Sequence, residues 1–236
     1  MRDAILICGL SADPVHLGHV RLVIEASSAL HRRGRPISRL ILMPVYRRNP
    51  VGTRKDDLPE TYPQRFAMCA LAAIDIRAAV RALGISVEVS TIEAELAQDR
   101  ETPNFTSETL AVLRERTSEA ALLFLISSEL VAGKVPELSR WHEVNRILNA
   151  AELVICPRPQ HTTNEAYLSE LRAAGGQITD LNEVRTPEIA SRDIRRRLHA
   201  GEDPLTLAAE DLLPVAVAHF LKEQQLYTAP PAEVKP

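Results

Sequence analysis

Short, continuous apolar runs recur along this chain. AILICGL (4–10), SRLILMP (38–44), GISVEVS (84–90), AALLFLIS (120–127) and AELVICPRP (151–159) carry few charges. Runs of this length fit strands buried on both faces of a parallel sheet. QITDL (177–181) reads as a last, short strand. The stretches between them mix apolar and polar residues and predict helices. The first follows Asp13-Pro14, where Asp13 can cap and Pro14 suits the first turn. Leu17, Val20, Leu22, Val23 and Ile24 supply its apolar content. Gly34 ends it, with Pro36 just beyond. Further helices are expected over 62–83, 106–117, 140–149, 164–176, 191–201 and 212–227. The polar stretch 45–61 reads as a long loop, and the acidic AGEDPLTLAAED (200–211) as a surface loop.

Strands alternating with helices define an α/β fold. The expectation is a Rossmann-like, doubly wound, mostly parallel sheet with helices on both faces. One domain is expected over 1–228, its C-terminal helical part covering about 190–228. The Pro-rich, charged end, 229–236, reads as a disordered tail.

Composition narrows the function. The 236 residues are 45% hydrophobic, as in an ordinary globule with a sizeable core. A net charge of -3 gives no basic field for nucleic acid, and 4% aromatic content gives no stacking platform for single strands. Cys8, Cys69 and Cys156 form no CxxC pair, and Cys8 and Cys156 sit in apolar runs, as buried thiols of a reducing compartment would. No signal peptide or membrane-spanning run is evident, so the expected location is cytoplasmic.

The chemistry concentrates in ICGLSADPVHLGHV (7–20). The first strand-to-helix turn of such a sheet is the usual phosphate site. Neither GxGxxG nor GxxxxGK[ST] is present. His16 and His19 offer another means of holding phosphate, because residues three apart share a helix face and the helix N-terminus adds exposed amides. Gly18 removes a side chain between them, so a nucleotide could lie close to the helix. Two solvated histidines, or a zinc pair, are the alternatives; the zinc reading lacks a third ligand and an HExxH motif.

DPVHLGH resembles the HxGH signature of the nucleotidylyltransferase superfamily. Leu10 and Ala12 depart from the fuller pattern G-G-T/S-F-D-P-x-H-x-G-H. IASRDIRRRLHAG resembles the I-S-S/T-x-x-I-R motif of nicotinate and nicotinamide mononucleotide adenylyltransferases, matching at Ser191, Ile194 and Arg195, with Ala190 in place of one serine. Ser191 is also a suitable N-cap. SRWHEVNRIL resembles the family's Trp segment, NFTSETL its Y-T-x-x-T-L, and AELVICPRP its following strand and Arg turn. PVYRRNPVGTRKDDL stands where the family has P-P-H-K or Y-G-K-K-D-L, and QRFAM matches R-x-x-M at Arg65, a loop-anchoring position.

The resemblance implies an enzyme that joins a pyridine mononucleotide to ATP and releases pyrophosphate, without a covalent intermediate and with Mg²⁺ held mainly by the ATP phosphates. It implies catalytic roles for His16, His19, Lys55 and Arg195. Gly9, Leu10, Ser11, His16, His19, Ser127, Glu129, Ser191 and Arg195 would bind ATP, Glu129 in place of the family's ribose-binding Asp. Lys55, Thr106, Thr109, Trp141 and Arg158 would bind the mononucleotide, with Trp141 stacking on the pyridine ring. ATP and the mononucleotide are the implied partners; nucleic acid and membrane are not. Three matters stay open: nicotinate against nicotinamide; this activity against transfer to another phosphate acceptor or a catalytically lapsed nucleotide-binding regulator; and the oligomeric state, a homo-oligomer included.

Overall fold

The computed structural model describes residues 3–47, 60–98, 104–117 and 119–228. A six-stranded sheet forms the centre, with all pairs parallel. The strands are β1 (Ala4–Leu10), β2 (Arg39–Pro44), β3 (Ser86–Val89), β4 (Ala121–Ser127), β5 (Glu152–Cys156) and β6 (Ile178–Asp180). Their spatial order is β3-β2-β1-β4-β5-β6. This is the doubly wound arrangement that the alternating pattern predicts, and its strand order reverses between β1 and β4.

The apolar runs conceal a two-sided division of labour. Leu6, Cys8 and Leu10 of β1 face one core; Ile5 and Ile7 face the other. The first core is covered by α1 (Leu17–Arg32), α2 (Tyr62–Val80), α7 (Ser191–His199), α8 (Pro204–Ala209) and α9 (Val215–Glu223). The second is covered by α3 (Ile92–Ala97), α4 (Thr106–Arg116), α5 (Val144–Ala150) and α6 (Glu165–Ala173). Burial on both faces explains why the strands read as unbroken hydrophobic text.

Several boundaries differ from the sequence reading. Residues 200–211 are not a plain loop, because α8 lies within them. Asp203 accepts from Leu205 N (2.9 Å), Pro204 begins the helix, and Leu207 is fully buried. The expected helix 140–149 is broken: Glu143 has φ +50, and α5 starts only at Val144. The closing helix is shorter than 212–227, covering Val215–Glu223. α3 was not anticipated. Asp13 does not cap α1; His16 does, and Asp13 precedes a cis Pro14 upstream of the helix. Likewise Ala190, not Ser191, is the N-cap of α7.

Candidate active site

The β1–α1 turn sits at the carboxyl edge of the sheet, beside the point where strand order reverses. Its two histidines are the N-cap and third residue of α1. Their rings stack with centroids 3.7 Å apart. His19 Nδ1 accepts from the backbone N–H of His16 (3.3 Å), which puts the ring proton of His19 on Nε2 as a hydrogen-bond donor. Gly18 has a direct steric purpose. A Cβ there would lie 2.8 Å from His16 Nδ1 and 2.9 Å from His16 Cε1. The missing side chain makes room for the His16 ring, which is only 5% exposed, where the sequence had suggested room for a nucleotide.

α7 is fastened to the same turn. Ser191 Oγ donates to Pro14 O (3.1 Å), and Arg195 Nη1 donates to Asp13 O (2.5 Å). Arg195 also pairs with the Asp13 carboxylate at 3.6 Å. Ser191 and Arg195 therefore meet the histidine turn across more than 170 residues of chain. Gly9 and Leu10 end β1, and Ser11 follows. A Cβ at Gly9 would meet the Phe124 ring at an ordinary 3.5 Å, so steric room does not require glycine there.

Arg65 locks this turn to the next one. It is 1% exposed and donates to the carbonyls of Ser11 (2.9 Å), Val45 (2.6 Å), Tyr46 (2.9 Å) and Glu60 (3.2 Å). Burial lowers its pKa, and the neighbouring Asp13 carboxylate opposes that shift. The carbonyl oxygens satisfy a guanidinium that would be costly to bury bare.

A second group gathers around the start of α4. The Phe105 ring lies 4.1 Å from the His142 ring, so the α4 N-terminus meets the turn bearing Trp141. Trp141 packs against Phe124 of β4 at 6.4 Å. An open cleft of about 520 Å³ runs along Trp141, Glu143 and Arg146. Thr106 is the first residue of α4 and half-buried. Thr109 is fully buried, and its hydroxyl donates to Glu93 Oε1 (2.6 Å). A donor committed to a buried carboxylate gives Thr109 a structural tie. Asn104 Nδ2 donates to the Glu93 carbonyl (2.5 Å) and approaches its carboxylate (3.4 Å). Burial raises the Glu93 pKa, while Thr109, Asn104 and the Tyr46 backbone oppose the shift. Asn104 Oδ1, Ser107 Oγ and Trp141 Nε1 are buried without a hydrogen-bond partner among the described residues.

Glu129 and Arg158, expected on different substrates, pair with each other at 2.6 Å. Ser128, absent from the sequence reading, ties them: its hydroxyl donates to His161 O (2.8 Å) and accepts from Arg158 N (2.9 Å). Ser127 ends β4 beside them. A cavity of about 170 Å³ opens here, lined by Ser128, His161 and Asn182 among others. Lys55 lies outside the described residues. Phe105, His142, Glu93 and Tyr227 also escaped the sequence reading. Only Phe105 had a signal there, as the aromatic preceding Thr106.

The structure thus defines a doubly wound α/β protein with a paired-histidine turn at its switch point. The cytidylyltransferase-like family model matches residues 7–197. The chain is 31% identical to the probable nicotinate-nucleotide adenylyltransferase of Aeromonas hydrophila, over 96% of this chain and 98% of that protein. It is 28% identical to the protein of that description from Shewanella baltica, over 94% and 97%. The fold matches Plasmodium falciparum nicotinic acid mononucleotide adenylyltransferase complexed with NaAD, with a TM-score of 0.73, 15% identity, and coverage of 95% and 97%. The chain belongs to the cytidylyltransferase-like family, on its nicotinate-nucleotide adenylyltransferase branch, and is a nucleotidyltransferase. No helix among the described residues is long and apolar enough to cross a membrane.

Proposed function

We propose that this enzyme joins nicotinate mononucleotide to ATP, forming nicotinate adenine dinucleotide and pyrophosphate in NAD biosynthesis. The observation that carries the reading is the stacked His16–His19 pair at the N-terminus of α1, fastened by Ser191 and Arg195. The names of its relatives favour nicotinate over nicotinamide.

In this reading an oxygen of the acceptor 5′-phosphate attacks the α-phosphorus of ATP. The bond from that phosphorus to the β-bridging oxygen breaks, and pyrophosphate leaves with its electron pair. A phosphate anion is already a nucleophile, so no general base is required. His19 donates from Nε2 to the charge developing at the α-phosphate, and His16 and Arg195 hold the remaining oxygens. Lys55 adds positive charge. Gly9, Leu10 and Ser11 line the nucleotide, and Ser191 orients α7 towards it. Ser127 and the Glu129–Arg158 pair border the adenosine side.

Trp141 and Thr106 receive the pyridine group. Asn104 Oδ1, Ser107 Oγ and Trp141 Nε1, buried without a partner among the described residues, support a polar ligand near this end of the site. Among the described residues, no three His, Cys, Asp or Glu side chains cluster as metal ligands. The phosphate-binding residues suit a Mg²⁺ that arrives on the triphosphate. When bound, it would neutralise charge on the departing pyrophosphate.

Pyrophosphate release with ATP, tested in parallel with nicotinate and nicotinamide mononucleotides, examines the reading. Preferential release with nicotinate mononucleotide is expected. Release with nicotinamide mononucleotide alone would reverse the substrate assignment, and no release with either would end the proposal.

A further inference from the structure

The far end of the described chain returns to the phosphate turn. The Tyr227 hydroxyl donates to Asp13 Oδ1 at 2.5 Å, across 214 residues. Both residues are buried, at 3% and 2% exposure. A second route leaves the Tyr227 backbone. Its N–H donates to Glu60 Oε1 (3.3 Å), the Glu60 carbonyl accepts from Arg65 (3.2 Å), and Arg65 donates to Ser11 O (2.9 Å). Tyr227 therefore reaches both ends of the Ser11–Asp13 turn.

The same C-terminal region touches the start of α1 as well, where Leu17 N donates to Leu212 O (3.0 Å). Tyr227 itself has φ +57, and Gln225 has φ +51. L residues bear a cost in the left-handed region and stay there where their surroundings hold them. Burial and the Asp13 carboxylate raise the Tyr227 pKa, so its phenol remains a donor.

We propose that Tyr227 is a positioning residue for adenylyl transfer: through Asp13 and Glu60 it latches the turn from which His16 and His19 reach the triphosphate. This rests on the phosphate-binding reading of the two histidines. Tyr227 touches no reacting atom. Its effect runs through the placement of the turn, where small displacements cost rate more than binding.

The test uses Tyr227→Phe in the full chain, which removes the hydroxyl and keeps the ring. kcat should fall about tenfold, while the KM for the mononucleotide stays within about twofold. Amide hydrogen exchange across residues 11–19 should quicken in the ligand-free protein. In a His19→Ala background the loss from Tyr227→Phe should shrink, because both act on one turn. Glu60→Ala opens the second route while keeping the Tyr227–Asp13 hydrogen bond and should give a smaller change of the same kind. It also serves where Tyr227→Phe folds poorly. A lower melting temperature with unchanged kcat and unchanged exchange in the turn would overturn the latch. So would an undiminished loss in the His19→Ala background. The exchange measurement needs no substrate, so it judges the latch separately from the choice of acceptor.

Discussion

The proposed phosphate side and the proposed acceptor side of the site are secured differently. On the phosphate side, Asp13 meets Tyr227 and Arg195, Pro14 meets Ser191, and Arg65 gathers four carbonyls. These partners lie from about 50 to more than 200 residues away in sequence, so the histidine turn is held by tertiary contacts. On the acceptor side, one buried carboxylate, Glu93, organises the start of α4 through Thr109 and Asn104. Asn104 Oδ1, Ser107 Oγ and Trp141 Nε1 on this side are buried without a partner among the described residues. Preorganised donors suit the side where charge develops in the transition state. Polar groups without protein partners suit the side where a ligand's own polar groups must be recognised.

Mutations should divide along that line. The largest effect is expected from His19→Ala, with turnover down about 10²–10³-fold and the circular dichroism spectrum retained. A near-normal rate would remove the histidine from the chemistry. Next comes Gly18→Ala. Its methyl would displace the His16 ring, and kcat should drop about 10–100-fold with little change in the mononucleotide KM. A rate equal to wild type would mean that the position of His16 does not matter.

Trp141→Ala should act on the other side, raising the mononucleotide KM about tenfold and the ATP KM much less. Equal changes in both constants would dissolve the distinction between the sides. Thr109→Val is milder. It removes the donor to Glu93, and urea melts should show a loss of about 1–3 kcal/mol. Thr109→Ser, which keeps the donor, should recover most of it.

The smallest effect concerns pH. Burial raises the Glu93 pKa, so the folded state holds its proton more tightly than the unfolded chain does. This contribution to stability is present at low pH. It declines as pH rises from the ordinary carboxylate range through the raised value. In Glu93→Gln, melts across that window should lose this part of the decline. An unaltered profile would mean that Glu93 does not titrate there.

Much of the sheet was legible in the sequence because burial on both faces leaves strands as uninterrupted apolar text. AILICGL and ALLFLIS are examples. His16 and His19 were legible because their spacing is local. The reason for Gly18 was not, since it depends on where the His16 ring turns. The Asp203-Pro204 signal for α8 was present in the sequence but hidden in acidic text with a single deeply buried residue, Leu207. Thr109 matched a motif, yet the motif could not say which way its hydroxyl points. Arg65, Glu93 and Tyr227 draw their meaning from partners distant in sequence or set by the fold, and no window of sequence contains those pairings.

Under the proposed function, the held histidine turn performs adenylyl transfer while the Trp141 side selects the acceptor. Steady-state pyrophosphate release by wild type and His19→Ala, with ATP and nicotinate mononucleotide each varied, tests it most directly. A collapse of kcat in His19→Ala is expected, with the mononucleotide KM nearly unchanged. Full turnover in that variant, or a loss confined to the mononucleotide KM, would contradict it.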